Sequence, residues 1–140
     1  MDPKIREAIF RAVKQEPFAV AMGINIKELD AGYSLVEMLY DPEKMNNIYA
    51  RAHGGAIFAL IDEAFETSSQ TDGTIAVALN VNVTYVSSPN PGVRLSGEAK
   101  RVSRTKRTAS YDIKITDADG QLIATCNALA YRTGKPIPFL

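Results

Sequence analysis

Residues 46–63 read NNIYARAHGGAIFALIDE, a polar loop that runs through two glycines into an apolar segment. From residue 56 to residue 65 the apolar side chains recur every three or four positions, which is the spacing of a helix that packs against a sheet. Small residues at the start of this segment suit close packing. The pattern predicts a helix over residues 52–69 and makes it the dominant helix of the fold.

The segments on either side of this helix predict a sheet. Apolar residues alternate there with smaller or polar ones, as in strands with one buried face. The predicted strands cover residues 24–29, 33–40, 75–85, 93–102, 108–116 and 122–133. A short amphipathic helix, which starts at Asp2-Pro3 and ends near Pro17, precedes them. Because the last strands follow one another directly, we expect antiparallel pairing and an α+β fold with one sheet.

Length and composition fit a single domain over residues 1–140. Hydrophobic residues make up 46% and charged residues 23%, a balance that excludes a disordered chain. The 16 basic and 16 acidic side chains cancel, so no global field recruits nucleic acid or an anionic membrane. We therefore expect neither kind of partner.

The cysteine and histidine content restricts metal and redox chemistry. A single cysteine, Cys126, excludes an internal disulfide and a cysteine-based zinc site, and a single histidine, His53, excludes a two-histidine metal motif. The first residues lack the apolar core of a signal peptide, and no apolar run approaches membrane-spanning length. We expect a soluble cytoplasmic protein without a metal.

The chemically distinctive residues surround the start of the long helix. Gly54 and Gly55 leave backbone N–H groups accessible at the positive end of the helix dipole. Such groups can stabilise an oxyanion that develops on a substrate carbonyl. Asp62 follows nine residues after His53, about two turns into the helix. This spacing suggests that a substrate carbonyl lies between the helix start and the carboxylate.

Two interpretations of Asp62 and His53 remain open at this point. At about 100° per residue, Asp62 points about 150° away from the apolar stripe, which is typical of a solvated surface carboxylate. Phe58 and Phe65 flank it, however, so this helix face is not uniformly polar. If a second subunit covers the face, burial raises the pKa of Asp62. His53 is either a structural histidine near a helix start or part of a catalytic site.

His53-Gly54-Gly55, with Asp62 nine positions after the histidine and Asn47 six before it, resembles the hotdog-fold acyl-CoA thioesterases. The resemblance is greatest to the phenylacetate-degradation, or PaaI-type, group. Residues 82–89 with Gly92 resemble the strand-and-proline segment of that family, and residues 117–124 resemble its last hairpin. The resemblance implies a hotdog fold, in which an antiparallel sheet wraps around one long central helix.

The resemblance also implies a role for each residue of the motif. Asp62 would act as the nucleophile or as the general base for a water that attacks the thioester carbonyl. The Gly54 N–H would polarise that carbonyl, Asn47 would orient the carboxylate or the water, and His53 would support the loop and the thioester without acting as the base. The family places these groups on two chains, which implies at least a homodimer and commonly a homotetramer. The ligand would be an acyl-CoA, and no further cofactor is implied.

Five basic residues occur within eight positions, at residues 100, 101, 104, 106 and 107. They form either a solvated loop or a clamp for the CoA phosphates, which basic and hydroxyl side chains suit. The family often has a Gly-Lys or Gly-Arg pair near this position, whereas this chain has Thr105-Lys106. The candidate substrate-binding residues are Gly55, Phe58, Phe65, Asn82, Arg104, Lys106 and Arg107.

Two other functional classes remain as alternatives. A hydratase or dehydratase of the same fold would use a histidine in a proline-containing loop, and no proline lies between residues 46 and 71. A non-catalytic acyl-CoA binding or regulatory module would more readily lack the carboxylate that Asp62 supplies. Hydrolysis of an acyl or aryl-acyl CoA thioester is therefore the leading hypothesis.

Overall fold

The computed structural model describes all residues from 1 to 140. Its helices are α1 (Pro3–Val13), α2 (Pro17–Met22), α3 (Pro42–Met45) and α4 (Gly54–Ser69). Its strands are β1 (Asn25–Asp30), β2 (Tyr33–Leu39), β3 (Thr74–Tyr85), β4 (Arg94–Arg104), β5 (Thr108–Asp117) and β6 (Leu122–Pro136). None of the helices combines the length and the apolar character that a membrane span requires.

The six strands form one antiparallel sheet in the order β1-β2-β4-β5-β6-β3, and α4 lies across one face of it. On β5, Tyr111, Ile113 and Ile115 point into the core and are at most 2% exposed. Their neighbours Asp112 and Lys114 are exposed on the other face. The predicted α+β architecture is confirmed, and each of the six predicted strands is present.

The helix approaches the sheet most closely at Gly97 in β4. A Cβ atom at this position would lie 3.1 Å from the side chains of Val36 and Ile115 and 3.2 Å from that of Leu60. Leu60 lies in the middle of α4 and is fully buried. The missing side chain at residue 97 therefore sets the depth at which α4 rests on the sheet.

The segment before β1 differs from the prediction. The sequence predicts one helix that ends near Pro17, whereas α1 ends at Val13 and a second helix begins at Pro17. Proline suits the first position of a helix because no intrahelical N–H donor is needed there, so Pro17 starts a helix. α2 ends at Met22, and the following Gly23 has a φ of 69°, a left-handed conformation that glycine adopts readily.

β3 is an edge strand with one side of its backbone unpaired. Three of its apolar residues, Val77, Leu79 and Tyr85, are 47%, 57% and 53% exposed. Proteins normally cover a long apolar edge strand, because it otherwise pairs with other chains. The chain therefore presents an uncovered apolar edge on the side of the sheet where α4 meets β3.

Candidate active site

Asn47 orders the loop that leads into α4. Its Oδ1 atom accepts hydrogen bonds from the backbone N–H groups of Tyr49 at 2.9 Å and Arg51 at 3.1 Å. Its own N–H donates to the carbonyl of Arg51 at 2.7 Å, and Ala50 in the same turn has a left-handed φ of 57°. The Asn47 oxygen is thus committed to the loop, and only its Nδ2 group is left to contact a ligand.

His53 caps the start of α4 and leaves one backbone N–H free. Its Nδ1 atom accepts from the N–H of Gly55 at 2.8 Å, so the ring carries its proton on Nε2. Its carbonyl accepts from the N–H groups of Ala56 at 3.0 Å and Ile57 at 3.3 Å. The first N–H of a helix has no intrahelical acceptor, and that of Gly54 has no other acceptor in the chain. Gly54 therefore offers the one free donor of the first turn.

A cleft of about 290 Å³, which we name the Gly54 cleft, opens at the start of α4. It is lined by Asn47, Arg51, Ala52, Gly54, Ile57, Tyr85, Val86, Ser87, Ser88 and Pro89. The Tyr85 hydroxyl closes one side by donating to the Gly54 carbonyl at 3.0 Å. A Cβ atom at residue 54 would lie 3.3 Å from the Tyr85 ring, so glycine permits this close contact. No pattern in the sequence indicated that Tyr85 belongs to the site.

Asp62 lies in a second cleft of about 210 Å³ between α4 and β3, which we name the Asp62 cleft. The residues that line it are Asp62, Phe65, Glu66, Ser69, Gln70, Ala76, Val77 and Ala78. The Asp62 side chain is half-buried, and this burial raises the pKa of its carboxyl above the ordinary value. The helical position of Asp62 was compatible with a fully solvated carboxylate. The structure shows instead that this carboxylate is partly shielded from solvent, even within one chain.

Gln70 shapes the Asp62 cleft, a role that the sequence did not indicate. Its side-chain amide pairs with the backbone of Ala76, donating to the carbonyl at 3.1 Å and accepting from the N–H at 3.2 Å. This pair of hydrogen bonds fastens the end of α4 to the start of β3. The position of the cleft wall relative to Asp62 is thereby fixed.

Three of the predicted substrate-binding residues, Phe65, Phe58 and Gly55, lie in different environments in the structure. Phe65 is 2% exposed and packs edge-on against Tyr111, with ring centroids 5.4 Å apart, while it also borders the Asp62 cleft. Phe58 is partly exposed and lines neither cleft. A Cβ atom at Gly55 would lie 3.0 Å from His53 Nδ1, so this glycine serves the helix cap. Of these three, only Phe65 borders a cleft.

Asn82 lies on the sheet face away from α4. Its register partner is Asn127, which donates to Asp112 on that same exposed face, and its own amide donates to Asn80. The next pair in the register, Val83 and Cys126, faces the core. The structure therefore does not bring Asn82 together with Asp62.

One carboxylate, Asp72, holds three arginines beside the turn between β4 and β5. Its Oδ2 atom lies 3.0 Å from Arg101, 2.9 Å from Arg104 and 3.1 Å from Arg132. Three positive charges around one negative charge leave a positive excess. Arg104, predicted as a phosphate ligand, is thus partly committed within the chain.

The other two predicted phosphate ligands lie in the turn itself. Lys106 is exposed and forms no ion pair, and Arg107 is exposed and donates to the Tyr131 hydroxyl at 3.3 Å. Together with Arg132 they line a shallow pocket of about 180 Å³. The structure therefore brings two predicted basic residues to one pocket that contains no acidic residue.

Gly54 and Asp62 of one chain lie too far apart for both to act on the same carbonyl. The two residues are eight positions apart on α4, which corresponds to about 12 Å along the helix axis. A donor and a carboxylate that act on the same carbonyl must each lie within about 3 Å of the reacting atoms. The expected substrate position between Gly54 and Asp62 of the same chain does not fit this geometry.

Comparison with known proteins identifies relatives over most of the chain. Residues 49–124 match the thioesterase superfamily. A protein of Archaeoglobus fulgidus, named provisionally as an esterase, is 33% identical over 125 residues, which cover 89% of this chain and 80% of the relative. The acyl-coenzyme A thioesterase PaaI of Escherichia coli is 29% identical over 119 residues, which cover 85% of this chain and 84% of the relative.

Solved structures share the architecture. That of the E. coli PaaI protein, from the phenylacetic acid degradation operon, has a TM-score of 0.90 at 28% identity, covering 96% of either chain. The smu.793 protein of Streptococcus mutans UA159, solved bound to acetyl-CoA, has a TM-score of 0.77 at 27% identity, covering 81% of this chain and 91% of that one. These similarities confirm the hotdog fold and the family resemblance expected from the motif.

Proposed function

Because the chain belongs to the thioesterase superfamily, we propose that it hydrolyses an acyl or aryl-acyl CoA thioester to the free acid and CoA. The observation that carries the proposal is that the chain supplies both groups the reaction needs, a free N–H at Gly54 and a half-buried carboxylate at Asp62, each in a cleft of its own. The activity named for E. coli PaaI supports the reaction, and the acetyl-CoA complex of the S. mutans protein supports a CoA ester as the ligand.

The proposed reaction needs few groups. The Gly54 N–H donates to the thioester oxygen and stabilises the negative charge that develops there during attack. Asp62 either attacks the carbonyl carbon, giving an acyl anhydride that water then hydrolyses, or takes a proton from a water that attacks directly. In both routes the C–S bond breaks and CoA leaves as a thiolate that takes up a proton.

We propose that each site combines Gly54 of one subunit with Asp62 of the partner subunit. Two β3 strands that pair antiparallel about their midpoint would place residue 85 of one chain opposite residue 74 of the other. Tyr85 contacts Gly54, and Ala76 lines the Asp62 cleft, so this pairing sets each Gly54 cleft against the partner's Asp62 cleft. It also covers the exposed apolar residues of β3. A homodimer is thus the minimum assembly, and a homotetramer would join two such dimers.

The basic residues of the turn between β4 and β5 lie near the Asp62 cleft of the proposed dimer site. In the β3–β6 register, Arg132 pairs with Ala76 and Tyr131 pairs with Val77. The pocket that Lys106, Arg107 and Arg132 line therefore adjoins the Asp62 cleft. CoA carries phosphates that basic side chains bind through charge-assisted hydrogen bonds. We therefore propose that Lys106 and Arg107, supported by the positive excess around Asp72, bind the CoA phosphates.

Release of free thiol from a panel of acyl-CoA esters tests the proposed reaction. The panel would include phenylacetyl-CoA and straight-chain esters of increasing length, with uncatalysed hydrolysis as the blank. We expect turnover of at least one ester, and the order of preference would define the acyl pocket. Binding of the esters without thiol release would contradict the proposal and favour a non-catalytic acyl-CoA module.

Mixing two inactive variants tests the two-chain site. Gly54→Pro removes the N–H donor, and Asp62→Asn removes the carboxylate. If a site takes one group from each chain, it is intact only when one chain is unmodified at residue 54 and the other is unmodified at residue 62. Co-expression in equal amounts would then restore about one quarter of the wild-type activity, because half of the dimers are mixed and one of the two sites in each mixed dimer combines the two intact groups. Each variant expressed alone is the control. A mixture no more active than the two separate variants would show that one chain supplies both groups.

A further inference from the structure

Three carboxylates from two distant parts of the chain converge between α2 and α4. One oxygen each from Glu16, Glu63 and Glu66 lies within 4.8 Å of the other two. Glu16 precedes α2, and Glu63 and Glu66 lie one turn apart on α4. None of the three forms an ion pair with a basic side chain. The fold therefore brings three carboxyl groups together with no basic side chain paired to them.

Glu63 is the unusual member of this cluster. Its side chain is buried, with 3% of the residue exposed, and its Oε1 atom has no hydrogen-bond partner. A buried carboxylate without hydrogen bonds or a counter-charge is strongly unfavourable. Burial, together with the charges of Glu16, Glu66 and Asp62, raises the pKa of Glu63 to about 8. The orphaned oxygen calls for a ligand that a protein side chain does not supply.

The space beside the cluster can hold hydrated ligands. A pocket of about 250 Å³ lies between α1 and α4, and Glu16 and Glu66 line its wall together with Gln15 and Thr67. A bound water takes up about 30 Å³, so the pocket has room for several waters around an ion. Glu66 keeps one side open to solvent, which gives an ion a route of entry.

We propose that Glu16, Glu63 and Glu66 bind a hard divalent cation of the size of Ca²⁺. Carboxylate oxygens are the ligands that such cations prefer. Ca²⁺ takes oxygens at about 2.3–2.6 Å, so two ligands on opposite sides of it lie up to about 5 Å apart. Three oxygens that all lie within 4.8 Å of one another can therefore bind the same ion. Mg²⁺ demands a near-ideal octahedral shell at about 2.0–2.1 Å and gives up its water reluctantly, so carboxylates on separate parts of the fold suit it less well than Ca²⁺. The site ties the start of α2 to the middle of α4, and it adjoins the Asp62 cleft, which Glu66 also lines.

Calcium titration of the chelator-treated protein tests this site. We expect one Ca²⁺ per chain by isothermal titration calorimetry and, at about 100 times the dissociation constant, a rise in unfolding temperature of roughly 5–10 °C. Mg²⁺ should bind at least about tenfold more weakly, because it needs a stricter geometry and loses its water less readily. Glu63→Gln and the more exposed variant Glu66→Gln should each weaken Ca²⁺ binding about tenfold or more.

The exposed Glu7 on α1 supplies a matched control, and Glu7→Gln should bind Ca²⁺ like the wild type. An absence of both heat and thermal shift in the wild-type protein would overturn the proposal and leave the carboxyls to share protons. Unchanged Ca²⁺ affinity in Glu63→Gln and Glu66→Gln would equally overturn it, since the ion would then bind elsewhere. Calorimetry and unfolding report on the site whether or not the chain hydrolyses thioesters.

Discussion

Asp62→Asn is expected to lower kcat on the preferred acyl-CoA ester by about 1,000-fold, because the amide can neither attack the carbonyl nor accept a proton from water. The substitution keeps the size and shape of the side chain. Burial raises the pKa of Asp62, which means that the folded state disfavours its charged form. Loss of that charge should therefore leave the unfolding temperature at neutral pH unchanged or slightly higher. Thiol release and thermal unfolding on the same preparation check both expectations.

Asp112 on β5 supplies the control for Asp62, because it is an exposed aspartate on the sheet face away from α4. Asp112→Asn should retain wild-type turnover. If Asp62→Asn folds normally and still turns over at more than about a tenth of the wild-type rate, Asp62 is neither nucleophile nor general base. The thioesterase assignment would then need a different carboxylate or a different nucleophile.

Gly54→Pro is expected to lower kcat by about 100- to 1,000-fold by deleting a single hydrogen-bond donor. Proline lacks an N–H and suits the first position of a helix. The preceding residue, His53, has φ −65° and ψ 134°, which is the extended conformation that a residue before proline requires. The helix should therefore form normally, and the loss should fall on kcat more than on KM.

Gly54→Ala separates the donor from the steric effect of the substitution. Both variants place a Cβ atom 3.3 Å from the Tyr85 ring, but alanine keeps the N–H. We expect Gly54→Ala to retain most of the activity that Gly54→Pro loses. Equal losses in the two variants would mean that contact with Tyr85, and not the hydrogen bond, is what residue 54 contributes.

The sequence was sufficient to predict the sheet and the long helix, because both depend on local periodicity. The apolar spacing after Gly55 is that of a helix, and the alternation within each strand is that of a strand with one buried face. The structures of α4 and β5 agree with these patterns. The accessible N–H groups at the start of α4 were also predictable, since glycines at a helix start imply them. Which of these N–H groups stays without an acceptor depends on the orientation of the His53 ring, and no sequence pattern indicates that orientation.

The positions that escaped prediction depend on irregularity or on long-range contacts. A register shift between Ala78 and Asn80 changes the phase of β3, so Ala78 faces α4 while Asn82 faces away from it. The arginines around Asp72 come from β4 and β6, and Glu16 approaches Glu63 from the residue just before α2. Such encounters are properties of the assembled fold, so a local reading of the chain does not reveal them.

The close contact at Gly97 links a position far from any proposed chemistry to the height of the carboxylate above the sheet. Leu60, which sits over this glycine, is only two residues before Asp62 on the same rigid helix. Any side chain at residue 97 would push α4 away from the sheet, and Asp62 would move with the helix. The size of one strand residue would thus change the position of the Asp62 carboxylate without altering any group that is proposed to touch substrate.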